Sequence, residues 1–377
     1  MKSNTIAQIE TLDLTNQKRI NEVHRFSLLV IGAMCCMCAA FSYAFNLISK
    51  DMQTKYNLTQ RDLSTISSVG VVFLYFALPY AFIFDHFGPV PVAAIATIIF
   101  PVGTICLALT FMDVIEGSVA KLAVFNAMMG AGSIQFDLLA VMPTISYFPT
   151  RKGYVTVLLK TFTGFGQALV GTIYIGFFSK KADRHFFFLA AFAAMTGILC
   201  MLFLRLPPYH LTGYEMSHLS LEEKAERERT KAQYLVQKPP MWRFIWGFIL
   251  IGLFTVYLTT QSVVTAFANI SHTTEIIFAV IAVFGVLVFA GMCLPWTACC
   301  GTSRPDSTAE EAVGKSNTNE PHGDDIDGAE ICSSTSAAVE KKMPVVTDLD
   351  YIAPQYNRSF FQNLLTTELW AIFWSIF

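Results

Sequence analysis

Charge is what this chain has least of. Asp, Glu, Lys and Arg make up 14% of its 377 residues, against roughly a quarter in soluble domains, and they sit between long uncharged stretches. This excludes a soluble globular protein. The 26 basic and 28 acidic residues nearly cancel to a net charge of -2. With no basic stripe and no interleaved aromatics, nothing points to nucleic acid as a partner. No Gly-rich phosphate loop ending in Lys-Ser or Lys-Thr is present, nor a paired-His metal motif, so no catalytic motif and no cofactor are implied. Nine cysteines exist, but Cys35, Cys36, Cys38, Cys106, Cys200 and Cys293 lie inside apolar runs, where a thiol behaves as a small hydrophobe. A cleavable leader is also missing: the first apolar run follows a polar stretch of 25 residues without a small-residue cleavage site, and reads as an anchor.

What the chain has is apolar length. Hydrophobic residues are 54% of it. A helix crossing a bilayer core needs roughly 20 apolar residues, and eight segments reach that length: 26–48, 65–84, 90–112, 122–148, 153–178, 185–206, 244–268 and 276–296. The expected fold class is an all-α polytopic membrane protein with the lipid bilayer as its solvent. A further apolar segment opens at Leu369, and its run to Phe377 would rise only about 13 Å, which reads as the start of a truncated ninth helix. The predicted organisation is a leader over 1–25, a six-helix N-terminal bundle over 26–206, and a charged loop over 207–243. Two additional transmembrane helices over 244–296, a disordered linker over 297–368 and the truncated start over 369–377 follow.

Orientation comes from the basic residues. Eighteen of the 26 lie before the first span, after the fourth, sixth and eighth, and seven lie on the other side. The leader and both long loops are therefore expected to be cytoplasmic, in the plasma membrane or an endomembrane organelle. The sequons at Asn57 and Asn269 both fall on the opposite side. In the first long loop, Ser220 with Glu223 forms a capping-box pattern that opens a charged helix through Val236, and Glu223 with Arg227 is expected to add an i,i+4 pair. Cys299 and Cys300, just past the eighth span, are either free thiols or palmitoylation sites.

Two charged residues, Asp137 and Lys160, lie at depth inside spans. Asp137 is about 16 Å and Lys160 about 10 Å from the cytoplasmic ends of their helices at 1.5 Å per residue, an offset a lysine side chain can cover. Charges at depth face protein or a water-filled cavity. On the fifth span Lys160, Gly164, Ala168, Thr172 and Gly176 recur every fourth residue, a small-residue stripe that predicts Lys160 points into protein. On the fourth span Asn126, Gly130, Ser133, Asp137, Ala140 and Thr144 share a face, as do Gly32, Cys35, Ala39, Ser42 and Asn46 on the first. These polar faces are expected to line a solvated cavity. Asp137 and Lys160 have three readings: a structural pair, a substrate or proton-coupling site, or independent lipid-facing or interfacial placement.

At the turn between the second and third spans, Ala81-Phe82-Ile83-Phe84-Asp85-His86-Phe87-Gly88-Pro89 resembles the Gly-x-x-x-Asp-Arg-x-Gly-Arg signature of the major facilitator superfamily. Its Asp-x-Phe-Gly-Pro core is similar to the nodulin-like branch, a relative of monocarboxylate transporters. After the fourth span, Phe148-Pro149-Thr150-Arg151-Lys152-Gly153-Tyr154-Val155, followed by Leu159-Lys160, resembles that branch's Phe-Pro-x-x-Arg-Gly-x-Val and Leu-Lys. Ala81, His86 and Val90 depart from the superfamily pattern. The resemblance implies a secondary transporter of small polar solutes, organic anions such as monocarboxylates or amino acids, working by alternating access. Lys160 would meet the anionic group and Asp137 would be the coupling carboxylate, with Asn46 and Gln167 as further polar contacts and Asp85 and Gly88 as the gating motif. It also implies that most of a second bundle is missing. Self-association or that bundle would then cover the polar faces. The competing classes are a truncated, non-transporting scaffold, receptor or gene fragment, and an intramembrane enzyme.

The basic-residue asymmetry generates a first prediction. An N-terminal tag should be protected from protease in sealed cells while Asn57 carries glycan. Labelling of that tag from outside intact cells would reverse the topology.

Overall fold

The structure, a computed structural model, describes residues 20–178, 181–268 and 270–293 and the isolated positions 362, 366 and 370. The linker apart from Gln362 and Thr366, the ninth-helix start apart from Trp370, Asn269, Cys299, Cys300 and the leader before Ile20 lie outside the described residues. Among the described residues all regular structure is helical. In hydrocarbon a helix satisfies its own backbone, which is why apolar runs of this length take no other form.

The first span is α1 (Glu22–Ala40), a 3-10 turn (Phe41–Ala44) and α2 (Phe45–Tyr56). Asn21 starts it, its side-chain oxygen accepting from the backbone N–H of Val23 and His24. The second is α3 (Gln60–Tyr75) and α4 (Leu78–Phe87). It breaks at Phe76 and Ala77 because Pro79 has no N–H to offer the Tyr75 carbonyl and its ring would crowd it. α5 (Pro89–Phe111), α6 (Val119–Tyr147), α7 (Lys152–Phe178) and α8 (Ala182–Phe203) complete six spans. α8 ends three residues earlier than its apolar run, since the residues leading into Pro207 leave the helical region. Two short loop helices, α9 (Gly213–His218) and α10 (Leu221–Val236), precede α11 (Met241–Phe267) and α12 (His272–Ala290).

Seven of these spans are long and apolar enough to cross a membrane. α7 is not among them, although its 27 residues would extend about 40 Å. Lys160, Gln167 and five glycines dilute its apolarity. Protein covers it instead, with α1 on one side and α11 and α12 on the other.

α6 is the centre of the six-helix group, packing on α1, α3 and α5, while α5 also packs on α8. Backbones approach closely at these crossings. A Cβ on Gly130 would stand 2.6 Å from the Gly70 carbonyl oxygen of α3, and one on Gly132 would stand 2.5 Å from Phe100 of α5. The polar residues of this face are used in packing: Asn126 donates to the Ile66 carbonyl at 3.1 Å, and Ser133 bonds Ser42 of the 3-10 turn. Asn126, Ser133 and Thr144 are buried, as are Gly32, Cys35 and Ala39 on α1. The expectation that these faces line a solvated cavity is thus corrected. A polar stripe in a bundle serves helix contact as readily as water, and only Asp137 on this face of α6 keeps part of its side chain in the open.

The end of the bundle where α1 begins is tied by Arg25, which is fully buried. Its guanidinium donates twice to the Tyr147 carbonyl at 2.6 and 3.0 Å, once to Glu22 at 3.0 Å, and lies over the rings of Phe148 and Tyr234. Gln237, just beyond α10, bonds both backbone groups of Ile20 at 2.9 Å. The capping box of α10 forms as expected, with Ser220 and Glu223 bonded reciprocally. Arg227, however, pairs with Glu215 of α9 at 2.7 Å and not with Glu223; both carboxylates cap their own helices, and Glu215 has its second oxygen on Arg227. Burial pushes the Glu215 carboxyl up, but the Thr212 backbone N–H and the Arg227 guanidinium outweigh it and hold the group below its usual range.

Gly130→Leu should prevent the α3–α6 approach, lowering stability by about 1–3 kcal/mol or more. Gly153→Leu, where a Cβ meets nothing within 4 Å, should not. Thermal unfolding in detergent separates the two; equal unfolding temperatures would show that the seam is not closely packed.

Candidate functional site

Asp137 and Lys160 meet. Lys160 Nζ on α7 donates to both carboxylate oxygens of Asp137 on α6, each at 2.7 Å. The two helices pack strongly on α1 and only slightly on each other, so the ion pair bridges a gap. It is not enclosed: the side chains are 47% and 25% exposed for Lys160 and Asp137.

Lys160 therefore does not point into protein, and helix geometry explains the correction. Each four-residue step advances about 400°, so the stripe from Lys160 to Gly176 drifts about 160° around the axis. Its ends face different ways. Gly176 packs on Ala279 and the Glu275 backbone of α12, whereas a Cβ on Gly164 meets nothing within 4 Å. The set that keeps one face alternates steps of four and three: Lys160, Gly164, Gln167 and Gly171. This is the open side of α7, where Lys160, Gly164 and Gln167 are exposed and Gly171 is partly so.

A cavity of about 590 Å³ lies along that side, between the 3-10 turn and α2, α7 and α11. Its polar lining is Tyr43, Gln167, Thr172, Gln261, Ser262 and Thr265, and Gly164 and Gly171 form part of its wall. Tyr43 also meets Tyr75 at the break in the second span, oxygen to oxygen at 3.5 Å. Two discontinuous spans thus come together beside the cavity. Thr172 Oγ lies 2.9 Å from both the Ala168 carbonyl and the Gln261 amide. A hydroxyl has one proton, so Thr172 donates it to Gln261 Oε1 or to the Ala168 carbonyl, or shares it between them.

Gln167 is accordingly on the cavity, one turn past Gly164, and Lys160 is one turn before it. Asn46 lies in α2, but its side chain is outside the described residues. Asp85 and Gly88 are not brought to this site; they stand at the α4–α5 turn. Gly88 joins the two helices with φ 84°, which favours glycine. His86, in the place of the signature arginine, packs edge-on against Tyr214 of α9. Tyr43, Gln261, Ser262 and Thr265 were not singled out from the sequence. The signal was available in the seventh span, where Thr255, Thr259, Thr260, Gln261, Ser262 and Thr265 crowd one half of an otherwise apolar helix.

A helical polytopic protein with a broken first span and polar groups held at depth has the architecture of a membrane carrier. The chain belongs to the major facilitator superfamily: the family's sequence profile matches residues 29–302, running from α1 through α12. A comparison with curated proteins returns no match. The superfamily is one of transporters, so the chain is a multi-pass membrane protein of the secondary-transporter type and not of an enzyme family.

If the ion pair merely clamps α6 to α7, Asp137→Ala and Lys160→Ala should each unfold at lower temperature and the double substitution should recover. The partial exposure predicts otherwise: each single variant stays folded and the coupling is about 1 kcal/mol or less. A double-mutant cycle on thermal stability decides between them.

Proposed function

We propose that the protein transports small organic anions, such as monocarboxylates or amino acids, by alternating access, as a member of the nodulin-like branch. In that reading 26–206 is the first bundle and α11 and α12 are additional helices beside it. The observation that carries the proposal is the Lys160–Asp137 pair, a bidentate contact bridging two helices at depth and open on one side. A cation so placed is compensated by a carboxylate of the protein, and a carboxylate of a solute can take that place. The displaced Asp137 is then without its cation, and in this reading it is the carboxylate that couples solute binding to a proton. Anion binding and proton uptake become one event, and net charge at the site is unchanged.

The test is uptake by the protein in liposomes across a panel of labelled carboxylates. Acidifying the side from which solute enters should accelerate uptake. Lys160→Ala should abolish it, Lys160→Arg should keep part of it because charge but not shape is retained, and Asp137→Asn should remove the pH-gradient dependence. Lys160→Ala with wild-type uptake would end the anion reading.

A further inference from the structure

We infer that the cavity between the 3-10 turn, α7 and α11 is the subsite for the uncharged, hydroxylated body of the solute. The solute class is then a polyhydroxylated carboxylate of the sugar-acid type and not an aliphatic acid. This rests on Lys160 as the partner of the carboxylate. The two positions are continuous along α7, with Lys160 one turn before Gly164 and Gln167 and Gly171 following on the same face.

Chemistry of the lining sets the class. Its side chains carry two carboxamides, hydroxyls of Thr172, Ser262 and Thr265, and the Tyr43 phenol, with no carboxylate, ammonium or guanidinium among them. A second charge on the solute would have no partner there and would be costly to desolvate. Hydrogen-bonding capacity, by contrast, is left over. Gln167 has no hydrogen-bond partner among the described residues and is exposed to the cavity. Thr172 engages only the Oε1 end of the Gln261 amide, and Gln261 is 7% exposed. An aliphatic chain would leave these amides unpaired, which a site built for hydrogen bonding discriminates against more strongly than an apolar pocket discriminates by size. Room for a ring or an extended polyol comes from the glycines: a Cβ on Gly164 or Gly171 meets nothing within 4 Å. The volume of about 590 Å³ is within the span of small-molecule sites.

The open space at Gly171 also supplies the variant that tests this, because a side chain there fills the cavity without entering a helix contact. Purified full chain is titrated with gluconate, hexanoate and sorbitol, and ligand-induced shifts in thermal unfolding are read. Gluconate should bind at least roughly tenfold more tightly than hexanoate, the discrimination expected from one or two hydrogen bonds. Gly171→Leu should remove that preference, and Gln261→Leu should reduce it. Gly252→Leu on α11, whose Cβ also meets open space but away from the cavity lining, should leave it intact. Equal binding of gluconate and hexanoate, unaffected by Gly171→Leu, would overturn the subsite while leaving the Lys160 reading in place. Sorbitol binding as tightly as gluconate, with neither altered by Lys160→Ala, would remove the anion reading and leave the hydroxyl-binding subsite standing. No shift with any of the three would overturn the inference.

Discussion

Close approach to α6 is the constraint from which the rest of this bundle follows. Three helices pack on it, and hydrocarbon supplies no hydrophobic drive to hold them there, so contact area and internal hydrogen bonds must do so. Glycines at 70, 130 and 132 permit backbone approach, and Asn126 and Ser133 satisfy groups on neighbouring helices. α7 is outside this arrangement. It rests on α1, through Gly166 against Ala40, and on α12, through Gly176. Because α6 and α7 share α1 as a support but barely touch, a gap opens between them, and the acid on one and the base on the other meet across it. The ion pair is a consequence of packing done elsewhere.

The same geometry explains what the sequence displayed and what it hid. Span positions were legible because apolar runs of bilayer length have one stable outcome, and the facilitator signature around Asp85 was legible because Gly88 is needed for a positive-φ junction. The juxtaposition of Asp137 and Lys160 was legible from depth alone. The direction of Lys160 was not: a four-residue repeat looks like a face over one or two turns and is a spiral over five. Partner choice was equally hidden for Arg227, since Glu215 and Glu223 each cap their own helix and the one that pairs with it belongs to another helix. The polar half of α11 was visible as composition, but its meaning depended on which helix it would face. That is a tertiary fact.

The position of α11 bears on how a cavity of this kind could open. At the end where α1 begins, Arg243 at the start of α11 is almost fully buried, donates to the Glu22 carbonyl at 3.4 Å and lies over the Phe26 ring. Gln237, four residues before that helix, is bonded to Ile20 and to Glu22. Farther along, Gln261 is bonded to Thr172 of α7, and Tyr257 donates to the Phe278 carbonyl of α12 at 2.7 Å. α11 is thus attached to the six-helix group near both ends, and at its far end through the pair of side chains that forms the cavity wall. Rigid-body motion of bundles about a midplane site is the general mode of such carriers. A helix fastened this way would travel with the first bundle. Under the alternating-access reading proposed above, the wall made by α7 and α11 would keep its shape, and access would change on the side of the cavity where Tyr43 and Tyr75 stand at the two breaks in the first and second spans.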